Sequence, residues 1–279
     1  MNDLIISSLL KLKEKKIPNA EIDLRILLNY SKNSKISKND IILSNFDSSQ
    51  INIKLFNIVL SRRLNNEPIS KIINKKNFWK DDFYVNKFVL DPRPESEGII
   101  EESLKLIKNK KSKIKILDIG TGSGALAISL AREFINANIL AIDISNEAIK
   151  VAKKNVINKR LNNQINIQKK TINNLYEKFD LIVSNPPYLS KKEIEKVSLE
   201  IKNYEPIVAL DGGDDGLYFY REFSKKIYKI MNKNSYLILE IGEKQFSDCK
   251  EIFSISKLNL LKKTQDLEKK DRILVYSKL

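Results

Sequence analysis

Apolar residues recur every three or four positions through the first quarter of the chain, then in short runs or alternation through the remainder. Helical spacing covers 3–16, 19–31, 37–45 and 48–66, marked in the last by Leu55, Ile58, Val59 and Leu64, with Asp47 or Ser48 placed to cap its start. These segments predict a small helical bundle. Residues 78–90 then alternate about Asn86-Lys87, setting Phe83-Tyr84-Val85 opposite Phe88-Val89-Leu90 as in a hairpin. Beyond Pro94, apolar strands alternate with helical stretches, the βαβ pattern of a parallel sheet. Segments 258–262 and 273–277 have no helix between them and predict an antiparallel edge. The expected architecture is an α/β, Rossmann-like domain over 92–279, a β-hairpin connector over 78–91 and a helical domain over 1–77.

Two loops at strand ends carry the candidate chemistry. The first follows the apolar run 114–117 and reads Asp118-Ile119-Gly120-Thr121-Gly122-Ser123-Gly124 before the helical stretch 125–131. Strand, glycine turn and helix together put glycines where backbone must approach a ligand closely. A dinucleotide fingerprint would need glycine at position 125, which is Ala125, so the spacing is G-x-G-x-G. A second strand, 138–142, ends in Asp143, where a carboxylate can bind the ribose of any adenosine cofactor.

The second loop, Asn185-Pro186-Pro187-Tyr188, leaves the apolar run 179–184. Proline lacks an N–H and fixes φ at about −65°, so the carbonyls of Asn185 and Pro186 are not readily consumed by a local ladder. A planar NH2 group could donate one hydrogen to the Asn185 side-chain oxygen and the other to the Pro186 carbonyl while Tyr188 stacks on its face. The tetrapeptide also fits an ordinary strand-ending turn, since Asn-Pro commonly starts one.

Composition narrows the chemistry further. The 279 residues include no histidine and one cysteine, Cys249. Ser-His-Asp catalysis, histidine bases and His-containing zinc sites are thereby excluded, and no metal site is expected. The lone cysteine fits a reducing compartment, no apolar run approaches ~20 residues, and Met1-Asn2-Asp3 lacks a signal peptide's flanks, so a cytoplasmic protein without membrane attachment is expected. A formal charge of +15 points at face value toward nucleic acid. It is spread along the chain, however, +6 over residues 1–91 and +9 over the rest, and only 8 of the 50 basic residues are arginine, which phosphate recognition favours. The excess reads as compositional bias, with no stable nucleic-acid partner expected; a pull toward an acidic or ribosomal partner stays compatible.

Asp118-x-Gly120-x-Gly122-x-Gly124, Asp143 and Asn185-Pro186-Pro187-Tyr188 together resemble the class I methyltransferases that use S-adenosylmethionine. Further stretches narrow the resemblance. Arg63-Leu64-Asn65-Asn66-Glu67-Pro68-Ile69 with Phe78 and Phe83, Leu90-Asp91-Pro92-Arg93-Pro94-Glu95-Ser96-Glu97, and Tyr204-Glu205-Pro206 with Ala209-Leu210 are similar to the peptide chain release factor glutamine methyltransferases, also called the HemK family. Gly212-Gly213-Asp214-Asp215-Gly216-Leu217, Leu239-Glu240-Ile241-Gly242, and Asp266-Leu267 with Asp271-Arg272 complete the series in order and spacing. Ser96 departs from the usual Thr, Asn74 from a glycine, and Ser70-Lys71 from a small-aromatic pair. Lys169-Lys170-Thr171-Ile172 stand where the family has an Asp and an aromatic bordering adenine.

The resemblance implies methyl transfer from S-adenosyl-L-methionine to the glutamine amide nitrogen in the Gly-Gly-Gln motif of class I release factors, with the helical domain helping to dock them. A monomer is expected. Asn185, Pro186 and Tyr188 are the implied catalytic residues, and Asn185, Pro186, Pro187 and Tyr188 the substrate-binding ones. Gly120, Thr121, Gly122, Ser123, Gly124, Asp143 and Asn185 are implied for the cofactor, and Asp118 for fixing the turn or the cofactor's ammonium group. Arg93, Glu95 and Glu97 either border the cleft or simply start a helix, where acidic residues are favoured. Glu205-Pro206 and Gly212-Gly213 either shape the cleft or punctuate loops. Phe78 and Trp79 are expected to pack at a domain junction, and Cys249 to be buried and inert. Two alternatives stay open: a methyltransferase acting on adenine or guanine amino groups, which the same amine loop serves, and a non-catalytic cofactor-binding adaptor.

Overall fold

The computed structural model describes residues 3–33 and 47–279, so the expected helix 37–45 lies outside the described residues. The chain divides into two compact units, Met1–Lys75 with Ser198–Tyr204, and Lys76–Val197 with Glu205–Leu279. This differs from the expected boundaries at 77 and 91. The connector falls within the second unit instead of standing alone, and a late segment belongs to the first.

In the first unit, helices Asp3–Glu14, Ala20–Tyr30 and Ile53–Leu64 bury Leu12, Leu24, Leu27, Leu28, Phe56 and Val59 together. Each such side chain contributes about 1.5–3 kcal/mol of burial. The third helix begins at Ile53, not at residue 48, because Asn52 caps it, accepting from Leu55 N at 3.1 Å. Asp47 instead accepts from Ser49 N within the short 3-10 turn Ser48–Gln50. At the helix's end, Arg62 forks onto Glu67 at 2.8 and 2.6 Å, while buried Arg63 donates to Asp23 at 2.7 Å and to the Glu67 carbonyl at 3.1 Å. Tyr204 Oη donates to Asn65 O at 3.0 Å, which ties Ser198–Tyr204 to the same joint. Asn74 closes the helix Ile69–Ile73 at φ 53° and ψ 38°, a left-handed conformation that asparagine tolerates where glycine is usual.

A two-stranded sheet follows, β1 (Lys75–Phe78) paired with β2 (Asp81–Tyr84). A hairpin is present, but it turns at Trp79-Lys80 and not at Asn86-Lys87. Trp79 takes a φ of 54°, held there by Glu97, which accepts its N–H at 2.6 Å, and by Glu133, which accepts its indole N–H at 2.9 Å. Asn86 does form a local turn, its Oδ1 accepting from Phe88 N at 3.0 Å, which explains the misleading alternation.

The main sheet comprises β3 (Lys115–Ile119), β4 (Asn138–Asp143), β5 (Ile165–Lys169), β6 (Phe179–Ser184), β7 (Met231–Glu240), β8 (Asn259–Gln265) and β9 (Asp271–Lys278). Its order is β5-β4-β3-β6-β7-β9-β8, with β9 antiparallel to both neighbours and the other pairs parallel, and the parallel pairs and the antiparallel β8–β9 edge agree with the sequence pattern. Alternate residues feed two cores. Ile116, Ile139 and Ala141 pack with Phe83, Val89 and Leu126, while Leu117, Leu140 and Ile142 pack with Phe223, Ile227 and Phe253. No described helix is long and apolar enough to cross a membrane.

Asn155, in the helix Asn146–Asn158, joins the hairpin to the glycine loop. Its Oδ1 accepts from Tyr84 N at 2.8 Å, and its Nδ2 donates to Tyr84 O at 2.9 Å and Ser123 O at 2.8 Å. Asn155→Ala leaves these groups without partners and is expected to cost about 2–4 kcal/mol. Urea unfolding measures this, and an unchanged midpoint would contradict the bridging role.

Candidate active site

The chain runs outward through β3, β4 and β5, then returns to lay β6 on the other side of β3. Crevices open beyond the carboxyl ends of strands at such a crossing. Ile119 of β3 pairs in register with Ser184 of β6, whose Oγ donates to Ile119 O at 2.8 Å. The glycine loop and Asn185 therefore leave the sheet side by side.

The loop's first turn is fastened to β4. Gly120 and Thr121 donate their N–H groups to Ile142 O at 2.9 and 3.0 Å, and Gly122 donates to Asp143 Oδ2 at 2.9 Å. The other Asp143 oxygen accepts from Ser145 N at 2.9 Å. Gly120 has φ 73°, and a Cβ built there meets nothing within 4 Å, because it would project into an open cavity. That cavity measures about 370 Å³, the scale of a small-molecule site.

Gly120, Thr121, Gly122, Ser123, Asp143, Asn185, Pro186 and Pro187 all line it, together with Ile144, Ala148, Lys170, Thr171 and Ile172. Two expected site residues do not. Gly124, at φ 83°, starts the helix Ala125–Glu133 and packs against Ala152. Tyr188 is withdrawn behind the amine loop, where its ring borders Gly242 and its hydroxyl reaches Glu240 Oε1 at 3.3 Å.

The amine loop is held by a chain of hydrogen bonds. Asn185 Nδ2 donates to Ser96 Oγ at 2.8 Å, and Ser96 Oγ donates to Glu240 Oε2 at 2.5 Å. Tyr220 Oη donates to the backbone carbonyl of Glu240 at 3.0 Å. Gln245 bolts the far end, its Nε2 donating to Tyr188 O at 2.9 Å and Gly216 O at 3.1 Å while its Oε1 accepts from Gly242 N at 2.9 Å. Gly216, at φ 79°, lies so close to Tyr188 O that a side chain would displace the loop. Glu205 is buried and accepts from Arg93 at 3.0 Å and from Asp91 N at 3.3 Å, so it fixes the segment that carries Ser96.

Two carboxylates stand out electrostatically. Burial pushes Asp118 up to about 7, against hydrogen bonds from Thr121 and from the Ala127 backbone and with help from the nearby charge of Asp143. Its Oδ2 accepts from Thr121 Oγ1 at 2.6 Å. Burial likewise raises Glu240 to about 7, opposed by Ser96, Tyr188 and the charge of Arg272 and assisted by Glu95. Cys249 is buried among apolar groups that push its thiol up to about 12, consistent with an inert side chain.

Comparison with known proteins settles the family. The model for the methyltransferase small domain matches residues 102–202. The release factor glutamine methyltransferase of Caulobacter vibrioides is 34% identical, covering 95% of this chain and 92% of that protein. That of Buchnera aphidicola subsp. Baizongia pistaciae is 35% identical, covering 96% of each. The chain belongs to the release factor glutamine methyltransferase family. It also matches a bifunctional methyltransferase of Rickettsia felis at 36% identity over 96% of its own length, but spans only 56% of that longer protein. The chain thus covers little more than half of the bifunctional relatives. A crystal structure of a methyltransferase from Pyrococcus furiosus shares the fold, with TM-score 0.53 and 21% identity over 78% of this chain and 96% of that one.

For this family the cavity fits S-adenosylmethionine, because the Gly120 cradle, the Asp143 carboxylate and an apolar wall of Ile144, Ala148 and Ile172 meet in one space. Lys170 and Thr171 line the same wall. Asn155, Gln245 and the inward role of Glu240 were not legible as site features. Glu240 did leave one signal, a carboxylate inside the apolar run Leu237-Ile238-Leu239-Glu240-Ile241, which has to be hydrogen bonded once buried.

The raised Asp118 gives a pH prediction. With a folded pKa of about 7 against an ordinary 3.8, the folded chain keeps a proton there that the unfolded chain releases. The stability this confers is complete below the unfolded pKa and is lost as pH rises through the folded one. Asp143 and Glu240 are raised too and add to the same slope. Unfolding free energy is therefore expected to fall between pH 5 and pH 8, less steeply in Asp118→Asn. Urea titrations at the two pH values check this, and an identical slope in the variant would contradict it.

Proposed function

We propose that this chain transfers a methyl group from S-adenosylmethionine to the side-chain amide nitrogen (N5) of the glutamine in the Gly-Gly-Gln motif of class I peptide chain release factors. The observation that carries this reading is Asn185, anchored through Nδ2 to Ser96 in the wall of the cavity that the glycine loop also lines. Anchoring one end of the amide leaves its Oδ1 available as an acceptor. The Pro186 carbonyl, next to a residue with no N–H, supplies a second.

An amide nitrogen is a weak nucleophile because its lone pair is delocalised into the carbonyl. Holding both N–H groups on Asn185 Oδ1 and Pro186 O orients the nitrogen and offsets the positive charge that develops on it. S-Adenosylmethionine, when bound, supplies a methyl group already activated on a sulfonium. Positioning then does most of the remaining work and can contribute about 7–11 kcal/mol at its upper end. The methylated amide sheds its proton to water, in keeping with a chain that has no histidine. Asp143 and the Gly120–Ser123 backbone are assigned to the cofactor. Tyr188, withdrawn from the cavity, is assigned to supporting Asn185 in place of stacking on the substrate. The helical unit is assigned to docking the release factor, and the relatives that match nearly the whole of this chain support its belonging with the rest.

Incubation with labelled S-adenosylmethionine and either a release factor or RNA tests the proposal. Label is expected on the release factor, and label on RNA alone, or none, would sink it. Asn185→Ala is expected to lower turnover by about 100-fold or more while leaving S-adenosylmethionine affinity, read by calorimetry, nearly unchanged. Undiminished turnover would remove Asn185 from the mechanism.

A further inference from the structure

Glu240 ends β7 in the interior, with essentially no exposed surface, yet it touches no substrate-facing space. Its two carboxylate oxygens take hydrogen bonds from different parts of the chain, Oε2 from Ser96 Oγ at 2.5 Å and Oε1 from Tyr188 Oη at 3.3 Å. An ionised carboxylate can only accept. Ser96 must then point its single hydrogen at Glu240, which leaves its Oγ able only to accept from Asn185. Asn185 can satisfy that acceptor with Nδ2 and not with Oδ1. The direction of each hydrogen along the chain Asn185, Ser96, Glu240 is fixed from the buried end.

We infer that Glu240 is a positioning residue that, through Ser96, selects the amide orientation of Asn185 and so presents Oδ1, not the NH2 group, to the cavity. The inference rests on Asn185 accepting from an amide substrate, as proposed above. An Asn185 turned the other way would set donor against donor and repel the substrate N–H. Protonated Glu240 could donate to Ser96 and release this constraint. The groups that face it are Ser96, Tyr188, Tyr220, Arg272 and Glu95, with Arg93 acting on Tyr188. Arg272, itself held by Asp266 at 2.8 Å, is the positive charge that favours the ionised form.

Glu240→Gln keeps the shape but can present either a donor or an acceptor, and Ser96→Ala removes the link. Each is expected to lower kcat on a release factor by about 100-fold, the scale of a misplaced reacting group, with KM for S-adenosylmethionine within about 3-fold of wild type. The double variant is expected to lose no more than the worse single, because both cut one chain, and Ser96→Thr should rescue most of the loss. The acid limb of the wild-type kcat profile is expected to disappear in Glu240→Gln. Turnover within about 3-fold of wild type in Glu240→Gln, or losses that multiply in the double variant, would overturn the inference.

A second readout needs no substrate. The side-chain amide 15N–1H resonances of Asn185, assigned through their loss in Asn185→Ala, are expected to shift with pH near neutrality in wild type and to stay still in Glu240→Gln. Resonances that ignore pH in wild type, or titrate equally in the variant, would overturn the inference. Titrating resonances in a protein that methylates no release factor would leave it standing and overturn the proposed substrate alone.

Discussion

A carboxylate removed from water has to be met by hydrogen-bond donors, and most of this site's geometry follows from how Glu240 meets that demand. Ser96 and Tyr188 supply the donors, Arg272 the compensating charge, and Tyr220 closes the backbone carbonyl beside it. These residues come from the 3-10 turn before the helix Glu97–Leu106, the loop after β6, β9 and the helix Tyr218–Lys226. One buried acid therefore draws four distant parts of the second unit to one point. Ser96 in turn holds Asn185, and two of the donors are themselves held, the stretch carrying Ser96 by Glu205 with Arg93 and Tyr188 by Gln245.

The same economy governs the cofactor side. The crossing between β3 and β6 sets the glycine loop beside the amine loop, and Asp143 from β4 holds the glycine loop by the N–H of Gly122. Asn155 connects that loop to β2. Two carboxylates, Asp118 and Glu240, lie behind the two loops, both pushed toward neutral pKa by burial. Such groups cost stability when ionised and are retained where they organise a site. A donor loop and an acceptor loop sharing one cavity is the arrangement that bringing a methyl group to a planar nitrogen requires.

Local signals in the chain were legible where the cause was local. The glycine turn, the proline-locked loop and the apolar strands each owe their form to neighbouring residues, and the parallel run of the sheet with its antiparallel edge followed from the alternation of strands and helices and its break at the end of the chain. Where a distant partner decides, the sequence pattern misled. Asn86-Lys87 looks like the hairpin turn, yet Glu97 and Glu133 stabilise left-handed Trp79 and move the turn earlier. Asp47 and Ser48 look like a helix cap, yet Asn52 takes that role. Tyr188 belongs to the amine motif but faces Glu240, and Gly124 completes the glycine motif while serving helix packing. Glu240 itself stood in view as a charge in an apolar strand, but its partners lie too far along the chain for spacing to name them.

The central claim is that the reacting atom is the amide nitrogen of a glutamine in a release factor. Tandem mass spectrometry of a class I release factor, incubated with this chain and S-adenosylmethionine, measures it directly. One added methyl group on the side-chain nitrogen of the glutamine in Gly-Gly-Gln is expected, formed about 100-fold or more slowly with Asn185→Ala. An unmodified glutamine, with the methyl group elsewhere on the factor or on RNA in the same mixture, would contradict it.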